Sequence, residues 1–255
     1  MKQLLWLALL SSALIGNTAF AAHCSNSTLR GTLIGAAAGV QNGVRNSGMF
    51  MESWDGAGNI QYAEYDTTAN INSGVYYGTA TYSISPDCIA TVVYDGYTPF
   101  TWKYFVDPDG KGYVYVNSFN IGGVQAGRME WVTESMLVDP LSAVPGPCSS
   151  ATTTGVFNFS SAMTDSSGMP KAHAGVVTFD GAGHFAIQQL ASDGYTTTPT
   201  NTTGTYAVSD RCIVTTAGGA TWFVAPTGSA IWYTGSGQGS VDAGKAIRVS
   251  RPGNE

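Results

Sequence analysis

The sequence predicts an all-β protein built from two tandem antiparallel β-barrels, and three observations predict this fold class. Blocks of sequence recur in the two halves of the 255-residue chain, which indicates that one module has been duplicated. Within each half, runs rich in β-branched and aromatic residues alternate with turn signals about every 8 to 12 residues. No stretch combines a sustained 3.6-residue apolar period with helix caps, so long helices are not expected.

Residues 1–21 have the features of a secretory signal peptide. Lys2 provides a cationic head, Leu4–Leu10 begins an apolar run, and Ala19–Ala21 supplies the small residues of a cleavage site. A membrane anchor is the alternative, but the apolar run is short for one. We therefore expect a mature chain that begins near Ala22 and is exported, to the periplasm or outside the cell.

The repeated blocks divide the remaining chain into two domains. The first repeat covers residues 22–132, a linker rich in proline covers 133–147, and the second repeat covers 148–255. The matched blocks are FMESWDGAG (50–58) with GVVTFDGAG (175–183), GTATYSISPDC (78–88) with TTGTYAVSDRC (202–212), and FVDPDG (105–110) with FVAPTG (223–228).

Within the first copy, residues 75–84, 89–94 and 113–119 have strand composition. The DGAG segments at 55–58 and 180–183 predict hairpin turns, since glycine adopts positive φ without steric cost. A meander of strands must hide its edges, and closing the sheet into a barrel does so. Eight short strands with their turns need roughly 100 residues, which each copy provides. Two small β-sandwiches would also fit.

Four cysteines in an exported chain predict two disulfides. Cys24 and Cys88 are 64 residues apart, and so are Cys148 and Cys212. This equality follows from the repeat and favours the pairs Cys24–Cys88 and Cys148–Cys212. No CxxC pair is present, so metal binding by these cysteines is a poor alternative.

The blocks DGAG, GTYAVSDRC and FVAPTG resemble those of small secreted bacterial β-barrel repeat proteins, which are loosely grouped with the lipocalin-like and allene-oxide-cyclase-like barrels. The resemblance covers both halves and implies a calycin-like barrel fold. Its motifs are turns, strands and cysteines, so it carries over no catalytic residue. A role with a hydrophobic small molecule is implied by analogy with the broader barrel class alone.

The two copies differ around the first hairpin. Alternation along the strands places Phe50, Glu52 and Trp54 on one face, with Tyr62 and Glu64 on the matching face of the next strand. The second copy is nearly apolar at the same positions. If this face lines the barrel, burial and mutual repulsion raise the pKa of at least one carboxyl, as an acid–base or cation-binding site requires.

Two alternatives to this site remain open. Arg45 could neutralise one of the carboxyls, or a slip of one residue in register would turn both toward water. Most of the aromatic residues are expected to fill the barrels, while a minority could line a ligand cavity. The candidate ligand-binding residues are Glu52, Trp54, Tyr62, Glu64 and Trp102.

Other motifs give weaker signals, and no cofactor or metal site is expected. Residues 239–246 resemble a phosphate-binding loop, but Ala246 replaces the required hydroxyl residue, and the first copy has the same segment at 122–128, which suggests a repeated turn. His184 follows the second DGAG turn and is expected to be solvated. His173 lies in a stretch that is predicted to be a loop. Each of the two histidines is a weak candidate for a general base.

Composition limits the classes of partner. The formal charge of −6 argues against nucleic-acid binding, and the mature chain has no stretch long and apolar enough to predict a transmembrane helix.

The leading hypothesis is an exported protein that binds a small apolar or amphipathic, lipid-like molecule, with the first copy as the ligand-bearing barrel. One alternative is a barrel isomerase or cyclase that uses Glu52, Tyr62 and Glu64, although the sequence leans against an enzyme. The other is a surface or matrix interaction protein without a ligand cavity, for which cell-surface association would follow.

Overall fold

The computed structural model describes residues 23–41, 43–68, 71–95, 101–119, 123–133, 147–164, 169–237 and 240–250. Its first unit, barrel 1, opens with a single 3-10 turn at Asn26–Thr28. Eight strands follow: β1 (Arg30–Gln41), β2 (Val44–Asp55), β3 (Asn59–Thr68), β4 (Ile71–Ile84), β5 (Ile89–Tyr94), β6 (Thr101–Val106), β7 (Gly112–Phe119) and β8 (Gly123–Thr133).

The second unit, barrel 2, repeats this order of elements. A short helix, α1 (Ser150–Thr153), takes the place of the 3-10 turn. The strands are β9 (Gly155–Thr164), β10 (Pro170–Phe179), β11 (His184–Ser192), β12 (Thr197–Val208), β13 (Ile213–Thr216), β14 (Thr221–Val224), β15 (Ala230–Gly237) and β16 (Ser240–Ser250).

Each set of eight strands pairs in sequence order and closes on itself. In barrel 1, β8 pairs with β1 in antiparallel fashion, and in barrel 2, β16 pairs with β9. Closure leaves neither sheet with a free edge, which is how an up-and-down barrel avoids edge-to-edge aggregation. The prediction of two tandem antiparallel β-barrels is therefore confirmed, and the alternative of two sandwiches is not.

The predicted DGAG hairpins connect β2 to β3 and β10 to β11. Asp55 Oδ1 accepts hydrogen bonds from three successive backbone N–H groups of the turn, at 2.7 to 2.9 Å. Gly56 has a φ of 76°, in the left-handed region that glycine enters without strain. Asp180 holds the second turn in the same way through the N–H groups of Ala182 and His184.

Both predicted disulfides, Cys24–Cys88 and Cys148–Cys212, are present. Each bond ties the segment before the first strand of its barrel to the turn between the fourth and fifth strands. The second cysteine of each pair, Cys88 or Cys212, has a φ of 63°. The two disulfide-bearing turns thus have the same backbone conformation at their second cysteine.

Two local predictions were wrong. The stretch around His173 is not a loop but part of β10, because it pairs with β9 on one side and β11 on the other. The segments compared with a phosphate-binding loop are not turns either. Residues 123–128 lie in β8 and 240–246 lie in β16, the strands that close the two barrels; residues 122 and 239 lie outside the described residues. In both cases pairing on two sides imposed a strand on a sequence poor in strand-forming residues.

The barrels pack side by side. Ile34, Met49 and Met51, on the outer faces of β1 and β2, are buried in one apolar cluster with residues of barrel 2. An ion pair between Lys245 of β16 and Glu130 of β8 also joins the two barrels. The burial of outward side chains explains why β2 is buried on both of its faces.

Another side of barrel 1 carries exposed apolar side chains. Phe105 on β6 is 62% exposed and Val116 on β7 is 69% exposed. Val93, Val114 and Val124, on β5, β7 and β8, are also exposed. An exposed apolar surface is typical of proteins that contact other macromolecules, which is the alternative of a surface or matrix interaction protein.

Three further predictions concern the signal peptide, the linker between the barrels and the absence of a transmembrane helix. The signal peptide at 1–21 lies outside the described residues, as does the linker apart from its two ends, Thr133 and Pro147. Thr133 is the last residue of β8, one residue beyond the predicted end of the first repeat. Within the described ranges, no helix has the length and hydropathy to cross a membrane.

Candidate functional site

The first-copy candidates lie together inside barrel 1. Glu52 on β2 is directly opposite Tyr62 on β3, and Trp54 is opposite Ile60. Glu52, Trp54 and Tyr62 are each 1% exposed. The predicted register is therefore the observed one, with this face turned into the barrel.

Glu52 is held by three hydrogen-bond donors. Trp54 Nε1 donates to Oε2 at 2.9 Å, Tyr113 OH donates to the same oxygen at 2.5 Å, and Tyr94 OH donates to Oε1 at 2.9 Å. Burial raises the pKa of Glu52 above its usual value, and these hydrogen bonds act in the opposite direction because they favour the charged form. A fully buried carboxyl with this many partners has the properties of an internal polar network.

Tyrosine rings enclose the network. Tyr104 stacks on Tyr113 with ring centroids 4.5 Å apart, and its hydroxyl lies 2.7 Å from that of Tyr94. Burial raises the pKa of Tyr94, Tyr104 and Tyr113 well above the usual range, and the charge of Glu52 adds to the effect. These phenols are therefore neutral donors. A substrate would reach Glu52 only if the rings moved, so this part of barrel 1 is poorly suited to acid–base catalysis.

A second carboxyl pair lies further along β3. Glu64 and Asp66 are neighbours on the inward face, and their side chains are hydrogen-bonded to each other. Burial raises the pKa of Glu64 well above its usual value, and repulsion from Asp66 and Glu52 raises it further. Burial also raises the pKa of Asp66, against the hydrogen bond from Glu64. The two carboxyls are thus coupled, and burial together with their mutual repulsion favours the protonated form, most strongly at Glu64.

Some residues of the barrel 1 interior were not among the predicted site residues. Asp66 continues the alternation of Ile60, Tyr62 and Glu64, so the pattern on β3 could have identified it. Tyr94 and Tyr113 come from distant strands, and nothing in their local sequence links them to Glu52. Trp102 lies on β6 and contacts Tyr94 with ring centroids 5.5 Å apart.

Arg45 does not have the predicted neutralising role. It lies an odd number of residues from Glu52 along β2, whose register has no bulge, so the two side chains are on opposite faces. The charges and hydrogen bonds that shift the pKa values of Glu52 and Glu64 do not include Arg45. The carboxyls are accommodated by the hydrogen bonds that Glu52 accepts and by the hydrogen bond between Glu64 and Asp66.

The interior of barrel 2 contains a cavity of about 220 Å³. Val177 and Ile187 are opposite each other on β10 and β11, where the first copy has Glu52 and Tyr62. They line the cavity together with Phe159, Trp222, Ile231 and Tyr233. This volume is well above the roughly 10 to 15 Å³ that one water requires, so the cavity has room for a small molecule. Small, largely apolar cavities with a few polar groups are typical of ligand sites.

Polar side chains gather at one end of this cavity. Ser161 on β9 is opposite His173 on β10, and Gln189 on β11 is opposite Thr200 on β12. Ser161, His173 and Gln189 line the cavity. Within the described chain, Ser161 Oγ and Thr200 Oγ1 are buried without a hydrogen-bond partner. Buried hydroxyls are normally paired, and Ser161 lines the cavity, so Ser161 Oγ marks a place where a ligand group would be stabilised.

The two histidines are in different environments. His173 lines the cavity and is partly buried. His184 is exposed at the DGAG turn, where its Nδ1 lies 2.9 Å from Asp180 Oδ2. The position of His184 agrees with the predicted solvated turn residue, whereas His173 belongs to an interior wall that the sequence did not reveal.

The described residues include no group of three histidine, cysteine, aspartate or glutamate side chains placed to hold a metal ion. In barrel 1, the carboxylate oxygens of Glu52 accept three hydrogen bonds, and the side chains of Glu64 and Asp66 are hydrogen-bonded to each other. The polar end of the barrel 2 cavity has a single histidine among the residues described as lining it. The candidate functional site is therefore the cavity of barrel 2 with its polar lining residues.

The sequence matches no protein-family model and no curated protein. Solved structures to which the chain is similar include a protein of unknown function from the DUF3598 family of Nostoc punctiforme PCC 73102, with 11% identity over 90% of this chain and 99% of that one, and a TM-score of 0.26. Another is a protein described as AttH from Nitrosomonas europaea, with 7% identity over 86% of this chain and 92% of that one, and a TM-score of 0.28. At these scores the similarities carry no argument about family or function, and the small-barrel fold is established by the strand pairing itself.

Proposed function

We propose that this protein is an exported binding protein that holds a small, mainly apolar molecule inside barrel 2. The observation that carries the proposal is the cavity of about 220 Å³, whose walls are formed by aliphatic and aromatic side chains. Removing apolar surface from water stabilises a complex by about 25 cal/mol for each Å² buried. A preformed cavity of this kind favours a ligand without requiring the barrel to rearrange.

Export is supported by the two disulfides. Each barrel contains one, and the described residues include no free cysteine. Structural disulfides persist in oxidising compartments and are rare where thiols are kept reduced. Together with the signal peptide predicted at 1–21, this supports a periplasmic or extracellular location.

The proposal moves the ligand from the first copy to the second. Large side chains fill the inner part of barrel 1 around Glu52. The ring of Tyr62 packs against the backbone of Gly78, and the ring of Tyr115 packs against that of Gly127. The equivalent part of barrel 2 has smaller residues at Val177 and Ile187, and this difference leaves space. Duplication followed by divergence is thus consistent with one barrel specialised for stability and the other for binding.

Calorimetric titration with 1-octanol tests the proposal. We expect saturable binding with one molecule per chain, and loss of that binding in Ile187→Phe, which adds volume inside the cavity. Ile247→Phe is the matched control, because Ile247 is 54% exposed on β16 and should tolerate the same change. Absence of binding in the unmodified protein, or equal binding in Ile187→Phe, would overturn the proposal.

A further inference from the structure

We infer that the ligand of barrel 2 is amphipathic and carries a carboxylate head group, which lies at the end of the cavity formed by Ser161, His173 and Gln189. The inference rests on the proposed function, because it assigns a ligand class to the same cavity. It is carried by the identity and placement of these polar side chains.

Ser161, His173 and Gln189 lie toward one end of the cavity. Register places Phe157, Val177 and Ile187 in one layer across β9, β10 and β11. Ser161 and His173 lie in a layer four residues further along β9 and β10. Side chains in these odd-numbered positions share the inner face. A ligand that satisfies both regions must therefore have an apolar body and one polar end.

The polar end is rich in donors. Ser161 offers a hydroxyl, Gln189 an amide NH₂ and His173 a ring N–H. Ser161 Oγ is buried and has no hydrogen-bond partner within the described chain. Each of these side chains can also accept a hydrogen bond, but no aspartate or glutamate lines the cavity among the described residues to balance the charge of an ammonium group. A carboxylate can accept from all three donors at once.

The charge around the cavity also favours an anion. The side chains that line the cavity include no aspartate or glutamate among the described residues. In barrel 1 the inward face of the corresponding hairpin carries Glu52, Glu64 and Asp66 instead. The inward face of this hairpin is therefore acidic in barrel 1, whereas the described residues that line the barrel 2 cavity include no acid.

The experiment compares octanoate with 1-octanol, which have the same chain length and differ in the head group. At neutral pH we expect octanoate to bind about tenfold more tightly, since hydrogen bonds to a charged group exceed those to a neutral one by about that factor. Ser161→Ala and His173→Phe should each reduce the affinity for octanoate several-fold and leave the affinity for 1-octanol nearly unchanged. Retained 1-octanol binding also shows that the variants fold.

Matched controls are available for both changes. Ser160→Ala alters an exposed serine beside Ser161, and His184→Phe alters the exposed histidine of the DGAG turn. Both should keep the preference for octanoate.

If 1-octanol binds as tightly as octanoate, the assignment of a carboxylate is wrong while the proposed function stands. If the preference survives both Ser161→Ala and His173→Phe, the head group does not lie at this end. If neither compound binds, the proposed function itself fails.

Discussion

At the scale of single residues, Glu52 and Glu64 show how neighbours decide the state of a buried carboxyl. Both are desolvated inside barrel 1, which raises the pKa of each. Glu52 is compensated by donors from Tyr113, Tyr94 and Trp54, whereas Glu64 faces Asp66 and Glu52, whose charges oppose its ionisation. Glu52 is thus stabilised by its hydrogen bonds, while the surroundings of Glu64 favour its protonated form.

This difference predicts a dependence of stability on pH. A carboxyl whose pKa is higher in the folded chain binds its proton more tightly there, so folding is favoured at low pH and loses this advantage as the pH rises. For Glu64 the loss begins near its ordinary value of 4.5 and continues through the raised pKa of the folded state. Glu64→Gln should therefore increase the free energy of unfolding at pH 7 to 8, on the order of 1 kcal/mol, with little change at pH 4.

Urea unfolding of both proteins across this pH range measures the effect. Asp109→Asn is the control, because Asp109 lies in an exposed turn. A Glu64→Gln protein whose stability falls with pH as steeply as that of the unmodified chain would contradict the proton assignment.

The register around the first hairpin could be predicted because alternation along β2 and β3 has a period of two, and a clear turn fixes where the strands meet. That argument placed Glu52, Tyr62 and Glu64 correctly on the inner face. It could not find Tyr94 or Tyr113, because contacts across a barrel depend on strand tilt and closure rather than on local sequence.

At the scale of elements, the repeated turns show where glycine is required. The turn between β14 and β15 contains Gly228 with a φ of 66°, and a Cβ there would lie 2.1 Å from the carbonyl oxygen of Thr152. Its counterpart Gly110 has a φ of 70°, and a Cβ there would lie 2.3 Å from the carbonyl oxygen of Thr28. Both turns press against the segment that precedes the first strand of their barrel.

Gly228→Ala should therefore be strongly destabilising, by about 3 kcal/mol, because left-handed backbone strain and a steric overlap act together. Gly219→Ala is a matched control with a φ of 82° and no atom within 4 Å of the added Cβ, so it should cost only about 1 kcal/mol of strain. Urea unfolding of the two variants gives the comparison. Equal losses would show that the contact with Thr152 contributes nothing.

The strands that were mispredicted share a physical cause. β10 begins with Pro170-Lys171-Ala172, and β16 contains Asp242, Ala243 and Gly244, all with low strand propensity. Both strands are paired on two sides, and the hydrogen bonds of a closed sheet override weak local preferences. Proline is tolerated at Pro170 because it is the first residue of the strand.

At the scale of the whole molecule, the two barrels form one packed structure. Met51 and Met49 point outward from barrel 1, yet they are buried by barrel 2 in a shared apolar cluster. The duplicated modules therefore contribute to each other's stability. This contact explains why an alternating pattern of polar and apolar residues is lost along β2.

Met51→Asp should separate the unfolding of the barrels, because it places a charge within their contact without altering either interior. We expect calorimetry to show two transitions for this variant and a single one for the unmodified chain. Phe105→Asp changes an exposed side chain on β6 and should keep the single transition. A single transition in both variants would mean that the barrels are not coupled through Met51.

The sequence by itself determined the duplication, the all-β class, the cystine pairs and the inward face of the first hairpin, because each depends on a local period or on residues repeated at a fixed spacing. Only the tertiary structure decided how the barrels meet, which phenols hold Glu52, and that a cavity lies in the second barrel. These features depend on side chains brought together from strands far apart in the chain, and on small differences in side-chain volume that leave no periodic trace.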